Sequence, residues 1–341
     1  MQTVENADIM GKKVADQLVE TICRAGIRHI YAVTGDSLNE VNDAVRRAGT
    51  VRWVHVRHEE SGAFAAAAES ELNGIACCAG SSGPGHVHLI NGLYDAHRSN
   101  CPVLAIASTC PSDQFGTGYF QETDPIRLFD DCSGYNQMAV TPAQFARMLP
   151  AALQHAIHRR EVAVVGLPGD VAASPCAESL GASGPLPSHG IYRPLDGELR
   201  QLAEMIGSAE RITVFCGIGA REAHDEVVRL AAMLKAPVAY TFKAKMEVQY
   251  DNPYEIGMTG LLGLPSAYGA MHESDLLLLL GTDFPYDCFL PSECRIAQVD
   301  IRPERIGRRA RVELGLAGDV KETLQALFPM LRERSDRVFL D

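Results

Sequence analysis

Two adjacent carboxylates, Glu59 and Glu60, stand where an apolar, strand-like stretch gives way to an alanine-rich one, in VHVRHEESGAFAAAAE (54–69). An acid at a helix start is ordinarily a solvated cap, because negative charge suits the positive end of the helix dipole. An acid held in a dry, apolar site does different chemistry: it keeps its proton and can hand it over. Histidines at 55, 58, 86, 88 and 97 invite a metal reading. His86 and His88, two apart on an expected helix, do not share a face. No Cys or carboxylate completes a tetrahedral set at zinc-like spacing, so no metal site is assigned. Ser82-Gly83-Pro84 lacks the spacing of a nucleophile elbow, which argues against a serine hydrolase.

The elements that must position these residues follow from the apolar periodicity. Helical spacing covers 11–24, 37–47, 60–72, 85–97 and 143–158. Short apolar runs at 28–33, 51–57, 75–79, 102–108, 135–140 and 162–167 read as strands. Strands alternating with helices predict an α/β fold, a doubly wound parallel sheet covered on both faces. The segment 171–196, rich in Ser, Pro and Gly, reads as a linker. Alternation then resumes, with helices near 197–207, 222–235 and 319–333 and strands at 211–217, 237–242, 275–281 and 296–301. The expectation is two three-layer sandwiches, over 1–180 and 181–341.

Ligands in such sheets sit at the carboxyl ends of the strands. The loops there are TGDS (34–37), HEE (58–60), GSSGPGH (80–86), GTDFPY (281–286) and DIRP (300–303). Their glycines let backbone approach a ligand closely. None is a phosphate loop of the G-x-x-x-x-G-K-S/T kind. GIGAREA (217–223) begins like a dinucleotide fingerprint but carries Glu222 where the third glycine belongs, so a plain strand-to-helix turn is the better reading of it alone.

Composition narrows the class. With 46% hydrophobic and 22% charged residues the chain is of ordinary globular type. A net charge of −12 without a basic block argues against nucleic acid. No window approaches the roughly 18 apolar residues of a membrane span. The opening MQTVENADIMGKK has no apolar core after a basic start, unlike a signal peptide. Ten scattered cysteines without a C-x-x-C pair read as reduced thiols of a cytoplasmic protein.

Taken in order, VTGDSLN (33–39), RHEESGAFAA (57–66), AGSSGPGHVHLINGLYDAHR (79–98), PVLAIAS (102–108) and GYFQETDP (118–125) resemble the thiamine-diphosphate-dependent decarboxylases, and among them the bacterial pyruvate oxidase type. VQYDNPY (248–254), GMTGLLG (257–263), GTDFPY (281–286) and VDIRPERIG (299–307) are similar to that family's central, FAD-carrying domain. The resemblance implies oxidative decarboxylation of pyruvate, a small 2-oxo acid, to acetate, with electrons passed through FAD to a quinone in a homo-oligomeric enzyme.

It makes Glu59 the acid that bonds the cofactor's pyrimidine and relays its proton, and leaves Glu60 as a helix-start acid. It brings Gly35 and the Gly83-Pro84-Gly85 turn against the pyrimidine, with Asn91 fixing that turn. His88, Phe120 and Gln121 would line the substrate side. In the second half it implies flavin contacts from Gly217, from Thr259, Gly260, Leu261 and Leu262, from Thr282, Asp283, Phe284, Pro285 and Tyr286, and from Asp300, which follows a strand and suits a ribose hydroxyl.

Family members hold the cofactor's diphosphate and magnesium on a third domain, through Gly-Asp-Gly and a later Asn pair; here Gly169-Asp170 and Gly318-Asp319 are each followed by Val. The chain is therefore expected to be a two-domain portion, inactive alone. An acetolactate synthase-like carboligase and a non-catalytic nucleotide-binding or subunit-interaction module are the alternatives.

Overall fold

The computed structural model describes residues 11–177 and 190–341, which fall into two compact units. In the first, six strands form one parallel sheet: β1 (His29–Ala32), β2 (Arg52–His55), β3 (Ala76–Gly80), β4 (Val103–Thr109), β5 (Tyr135–Met138) and β6 (Val162–Pro168), in the order β2-β1-β3-β4-β6-β5. Every residue of β3, β4 and β6 is buried. That is why these strands read as unbroken apolar runs rather than alternating ones.

Each helix shows a single apolar stripe to the sheet. In Val14–Arg24 the stripe is Val14, Leu18, Val19 and Ile22, and the helix opens with the Lys13 N–H donated to Asp16 Oδ2 at 2.9 Å. Burying a side chain such as Leu18 or Ile22 contributes about 1.5–3 kcal/mol. The helices Val14–Arg24, Asn39–Ala48 and Pro142–Arg159 cover one face, and Glu59–Asn73 with Ile90–Ser99 the other. On that second face the contact is close because the residues are small. A Cβ on Gly92 would stand 2.5 Å from that of Ala63.

The second unit repeats the plan. β7 (Ile212–Cys216), β8 (Val238–Tyr240), β9 (Glu255–Met258), β10 (Leu276–Leu280), β11 (Arg295–Asp300) and β12 (Leu314–Ala317) form a parallel sheet in the order β12-β11-β10-β7-β8-β9. Helices Asp196–Ser208, His224–Leu234 and Val320–Leu327 cover one face, and Pro265–Glu273 the other.

The expected α/β class, two doubly wound parallel sheets, is the fold observed. Several details differ from the sequence reading. The helix expected over 85–97 is two, Pro84–Val87 and Ile90–Ser99, because the Leu89 N–H turns back to the His86 carbonyl at 3.1 Å and tightens the chain there. β9 and β12 escaped the reading because each carries a glycine, a residue that weakens strand signals. Gly257 lies in a bulged register at φ +95°, and Gly315 makes room for Ile306. The last helix ends at Leu327, not near 333. The linker reading began too early: Gly169–Ala173 is a helix and Pro175 bridges to Lys13. It also ran too late, since Asp196 already opens a helix. Its stretch 178–189, with the 180/181 boundary, lies outside the described residues.

Candidate functional site

The sheet order of the first unit has its reversal between β1 and β3: the chain leaves β1 for β2 on one side and β3 for β4 on the other. The crevice at such a switch point is where open α/β sheets take ligands. The loops after β1, β2 and β3 meet there, and Glu59 opens the helix that follows β2.

Glu59 is 7% exposed, on the first turn of Glu59–Asn73, with His58 as the N-cap residue in extended backbone. Its Oε2 lies 2.9 Å from His88 Nδ1. Its Oε1 faces Gly85, standing 3.5 Å from where a Cβ on that glycine would be. A Cβ at 85 would touch that oxygen at ordinary contact distance and press on the Ser81 Cβ at 3.0 Å, so glycine leaves this side of the carboxylate uncovered. The rings of His58 and His88 stack with centroids 4.4 Å apart. The site is therefore more polar than the alanines beside Glu59 suggest: Ala63 and Ala66 turn into the core, and imidazoles flank the carboxylate.

The glycine turn is built by contact. Gly83 has φ +65°, and a Cβ there would meet the Gln121 Cβ at 2.7 Å. Gly35 is extended, and a Cβ there would strike Ser81 Oγ at 2.3 Å. Pro84 starts the short helix after the turn. Gln121 itself, at φ +59°, lies against Gly83, and its amide oxygen is 3.5 Å from Ser82 Oγ. The loop that carries it is held by Glu122, whose carboxylate accepts from the N–H groups of Gly116, Gly118 and Tyr119 and is lowered below the usual carboxylate range chiefly by the Gly116 bond. Phe120 is 77% exposed, so it is no core residue.

One assignment needs correction. Asn91 does not fix the glycine turn; its amide donates to Glu60 Oε1. Glu60 thus ties two helices together besides starting one.

The sequence reading missed a polar network that binds these loops to one another. Ser37 Oγ lies 2.9 Å from Ser81 Oγ and accepts from the Ser82 N–H at 2.9 Å. Ser108 Oγ donates to the Ser37 carbonyl at 2.8 Å. His86, fully buried, places Nδ1 2.8 Å from the Ser108 carbonyl and Nε2 2.5 Å from Thr123 Oγ1. Burial lowers the His86 pKa, against the opposing Ser108 bond. A neutral ring that donates from Nδ1 and accepts at Nε2 satisfies both partners. Ser37, Ser81 and Ser82 sat in loops singled out for their glycines, and Ser108 at the end of a strand; the polar residues beside those glycines were the overlooked signal.

The linear metal argument also changes. His86 and His88 do diverge, one into the core and one outward, but His58, Glu59 and His88 converge with ligand atoms within 4.8 Å of one another.

In the second unit the reversal lies between β7 and β10. Gly217 and Gly281 pack there: the Gly217 N–H donates to the Leu280 carbonyl, and a Cβ on Gly217 would meet the Gly281 carbonyl at 2.3 Å. Gly260, at φ +110°, lies against the Phe284 ring, which meets Tyr286 edge-on at 5.5 Å. This joins the loop after β9 to the loop after β10. Leu261 and Leu262 project outward, about 70% exposed. Thr259 Oγ1 is buried without a hydrogen-bond partner. Thr282 is buried, and its carbonyl accepts from Gln298. Asp283 pairs with Arg308 and Arg309, and Pro285 separates Phe284 from Tyr286. Asp300, 5% exposed, is pushed up by burial while accepting the Arg302 N–H at 2.9 Å.

The carboxylates of both Gly-Asp pairs serve local hydrogen bonds. Asp170 accepts from Ser112 N and Oγ, and Asp319 caps Val320–Leu327. All ten cysteines are free and most are buried, with burial raising Cys78 to about 12. Among the described residues no helix is long and apolar enough to cross a membrane.

Two doubly wound units, each with a crevice of glycines and polar groups at its switch point, define a ligand-binding α/β protein. Residues 12–128 match the thiamine pyrophosphate enzyme N-terminal TPP binding domain, and 199–327 the thiamine pyrophosphate enzyme central domain. An uncharacterized 42.6 kDa protein of Pseudomonas amyloderamosa is 51% identical over 96% of this chain and 84% of its own length. Pyruvate oxidase of Lactiplantibacillus plantarum is 31% identical over 91% of this chain and 52% of its own. The chloroplastic acetolactate synthase of Arabidopsis thaliana is 29% identical over 97% and 51%. The chain spans about half the length of these last two. It belongs to the thiamine pyrophosphate enzyme family.

Proposed function

We propose that this chain carries the pyrimidine-side and flavin-side groups of a pyruvate oxidase-type enzyme, which converts pyruvate to acetate and passes electrons through FAD to a quinone. The observation that carries the reading is the buried Glu59 carboxylate at the switch point, with one oxygen on His88 and the other opposite Gly85. These residues fit an aminopyrimidine: a shielded acid, a wall without side chains and a rigid turn.

Bound thiamine diphosphate supplies a carbon that becomes nucleophilic once its proton is removed. The chain's own part is to govern that proton. Glu59 Oε1 would share a proton with the pyrimidine's ring nitrogen, in a position fixed by the first helical turn, and so favour the form of the cofactor whose own amino nitrogen can take the carbon's proton. His88 Nδ1 keeps Oε2 oriented, while its half-exposed ring faces the side from which a 2-oxo acid enters. Gly83 and Gly85, having no side chains, would let backbone lie against the pyrimidine without competing contacts. Gln121 and the exposed Phe120 shape the open side. In the second unit, the orphan Thr259 hydroxyl and the buried Asp300 suit a flavin nucleotide's polar groups, and Phe284 and Tyr286 an adjoining apolar surface.

This reading leaves the diphosphate and its magnesium to groups other than Asp170 and Asp319, whose oxygens accept from Ser112 and from the Glu322 N–H. The 341 residues alone are therefore expected to bind without turning over. Fusing them to the diphosphate-binding domain of a relative, then adding pyruvate without oxygen, tests the reading. Bleaching of flavin absorbance with acetate as product is expected. Acetolactate without flavin reduction would favour the carboligase reading, which the acetolactate synthase similarity supports. No thiamine or flavin bound would leave a non-catalytic module.

A further inference from the structure

We propose that His58, Glu59 and His88 form a binding site for a divalent transition-metal ion, with Zn²⁺ and Co²⁺ as representatives. The site goes beyond the thiamine reading and does not depend on it. One ligand atom from each residue lies within 4.8 Å of the others. The Glu59–His88 pair is already at 2.9 Å, and the two rings are stacked on the same side of the carboxylate.

Tetrahedral coordination at bond lengths near 2.0–2.1 Å sets ligand atoms about 3.3 Å apart, so the 2.9 Å Glu59–His88 pair must open slightly, while the His58 atom, within 4.8 Å of both, has at most roughly 1.5 Å to close. The movable parts are the two rings, whose side chains are 47% and 42% exposed. Glu59 is the fixed point on its helix. Residues 58 and 59 are adjacent, a spacing that does not bring ligands together on a helix. They converge because His58 stands just outside it in extended backbone, φ −152° and ψ 138°, and folds back over the first turn. His58 Nδ1 accepts from the Glu60 N–H at 3.3 Å, a contact that holds the ring over the first turn.

Two imidazoles and one carboxylate select zinc-like ions over magnesium, which prefers an all-oxygen shell. Among the described residues Glu59 has no Lys or Arg ion-pair partner to compete with a dication. The helix N-terminus opposes a cation and keeps affinity below that of a closed structural site. With three protein ligands, the fourth position is left to water. The same Glu59 serves the pyrimidine in the reading above, so metal and thiamine should compete.

Titrating Co²⁺ into the reduced 341-residue chain, followed by calorimetry and visible absorbance, tests this. One saturable equivalent with an imidazole–carboxylate spectrum is expected. His58→Ala and His88→Ala should each weaken it by roughly 10–100-fold with unchanged circular dichroism, and Glu59→Gln at least as much. Cys288→Ser, which removes the exposed thiol, should leave it unchanged. Wild-type binding in both histidine variants, loss of binding in Cys288→Ser, or no saturable uptake would overturn the site. Because both rings are at the surface, their variants decide the matter even if Glu59→Gln misfolds. Metal binding that thiamine leaves untouched would retain the site and remove the shared use of Glu59, which rests on the earlier reading.

Discussion

At the scale of residues, the two glutamates of one helical turn do different work. Glu59 is 7% exposed and bonded to His88, whereas Glu60 reaches across to Asn91. In an enzyme completed with a diphosphate-binding domain, Glu59→Gln should lower turnover by about 10²–10⁴-fold, the usual worth of a general acid–base group. Glu60→Gln should cost far less; equal losses, read from pyruvate consumption, would reduce Glu59 to a cap.

His86 gives a pH signature independent of catalysis. Its folded pKa is lowered by burial, so near pH 6.5 the unfolded chain binds a proton that the native protein refuses. The stability it contributes is present above the unfolded value and is lost as pH falls through 6.5 towards the folded pKa, at up to about 1.4 kcal/mol per pH unit. Chemical denaturation of His86→Gln between roughly pH 5 and 7 should show a flatter profile than the wild type. It should also show a lower plateau, since the Ser108 carbonyl and Thr123 hydroxyl lose a partner. Parallel profiles would mean that His86 is not held neutral.

Elements place these residues through turns that tolerate little. Gly83 combines φ +65° with a Cβ position 2.7 Å from Gln121. Gly83→Ala should destabilise by about 1–3 kcal/mol in denaturant titration, from strain and clash together. Gly49→Ala separates the two causes: its φ is +63°, but nothing lies within 4 Å of an added Cβ. It should cost distinctly less, and equal losses would leave backbone strain alone responsible. Ser37 ties the loop after β1 to the loop after β3 and to the end of β4 by three contacts, two of them through its hydroxyl. Ser37→Ala should therefore cost about 1–3 kcal/mol, because it leaves the Ser82 N–H and Ser81 hydroxyl without their partner.

At the scale of the molecule, each unit buries its own sheet on both faces, with cores that include Leu18, Phe145 and Leu93 in one and Phe215, Leu230 and Leu324 in the other. The segments 11–177 and 190–341, expressed separately, should each melt cooperatively by circular dichroism. A fragment with secondary structure but no cooperative transition would show that its core is not self-sufficient.

What the sequence by itself determined is what periodicity and local chemistry encode. Apolar strand runs such as VLAIA (103–107) announced a sheet covered on both faces, and ordered glycine loops announced crevices at strand ends. Glu59 stood out because its type, neighbours and position at a strand-to-helix junction are all local facts. Only the tertiary structure decided which distant residues share a site. His88 lies 29 positions from Glu59, and parallel strand order carries the loops after β2 and β3 to one edge. The Ser37–Ser81–Ser108–His86 network is likewise set by sheet order, since its members have no common period along the chain. Asn91 went to Glu60 for the same reason: two helices pack closely across Gly92 and Ala63, and that contact depends on how side chains fit in space, which linear spacing does not record.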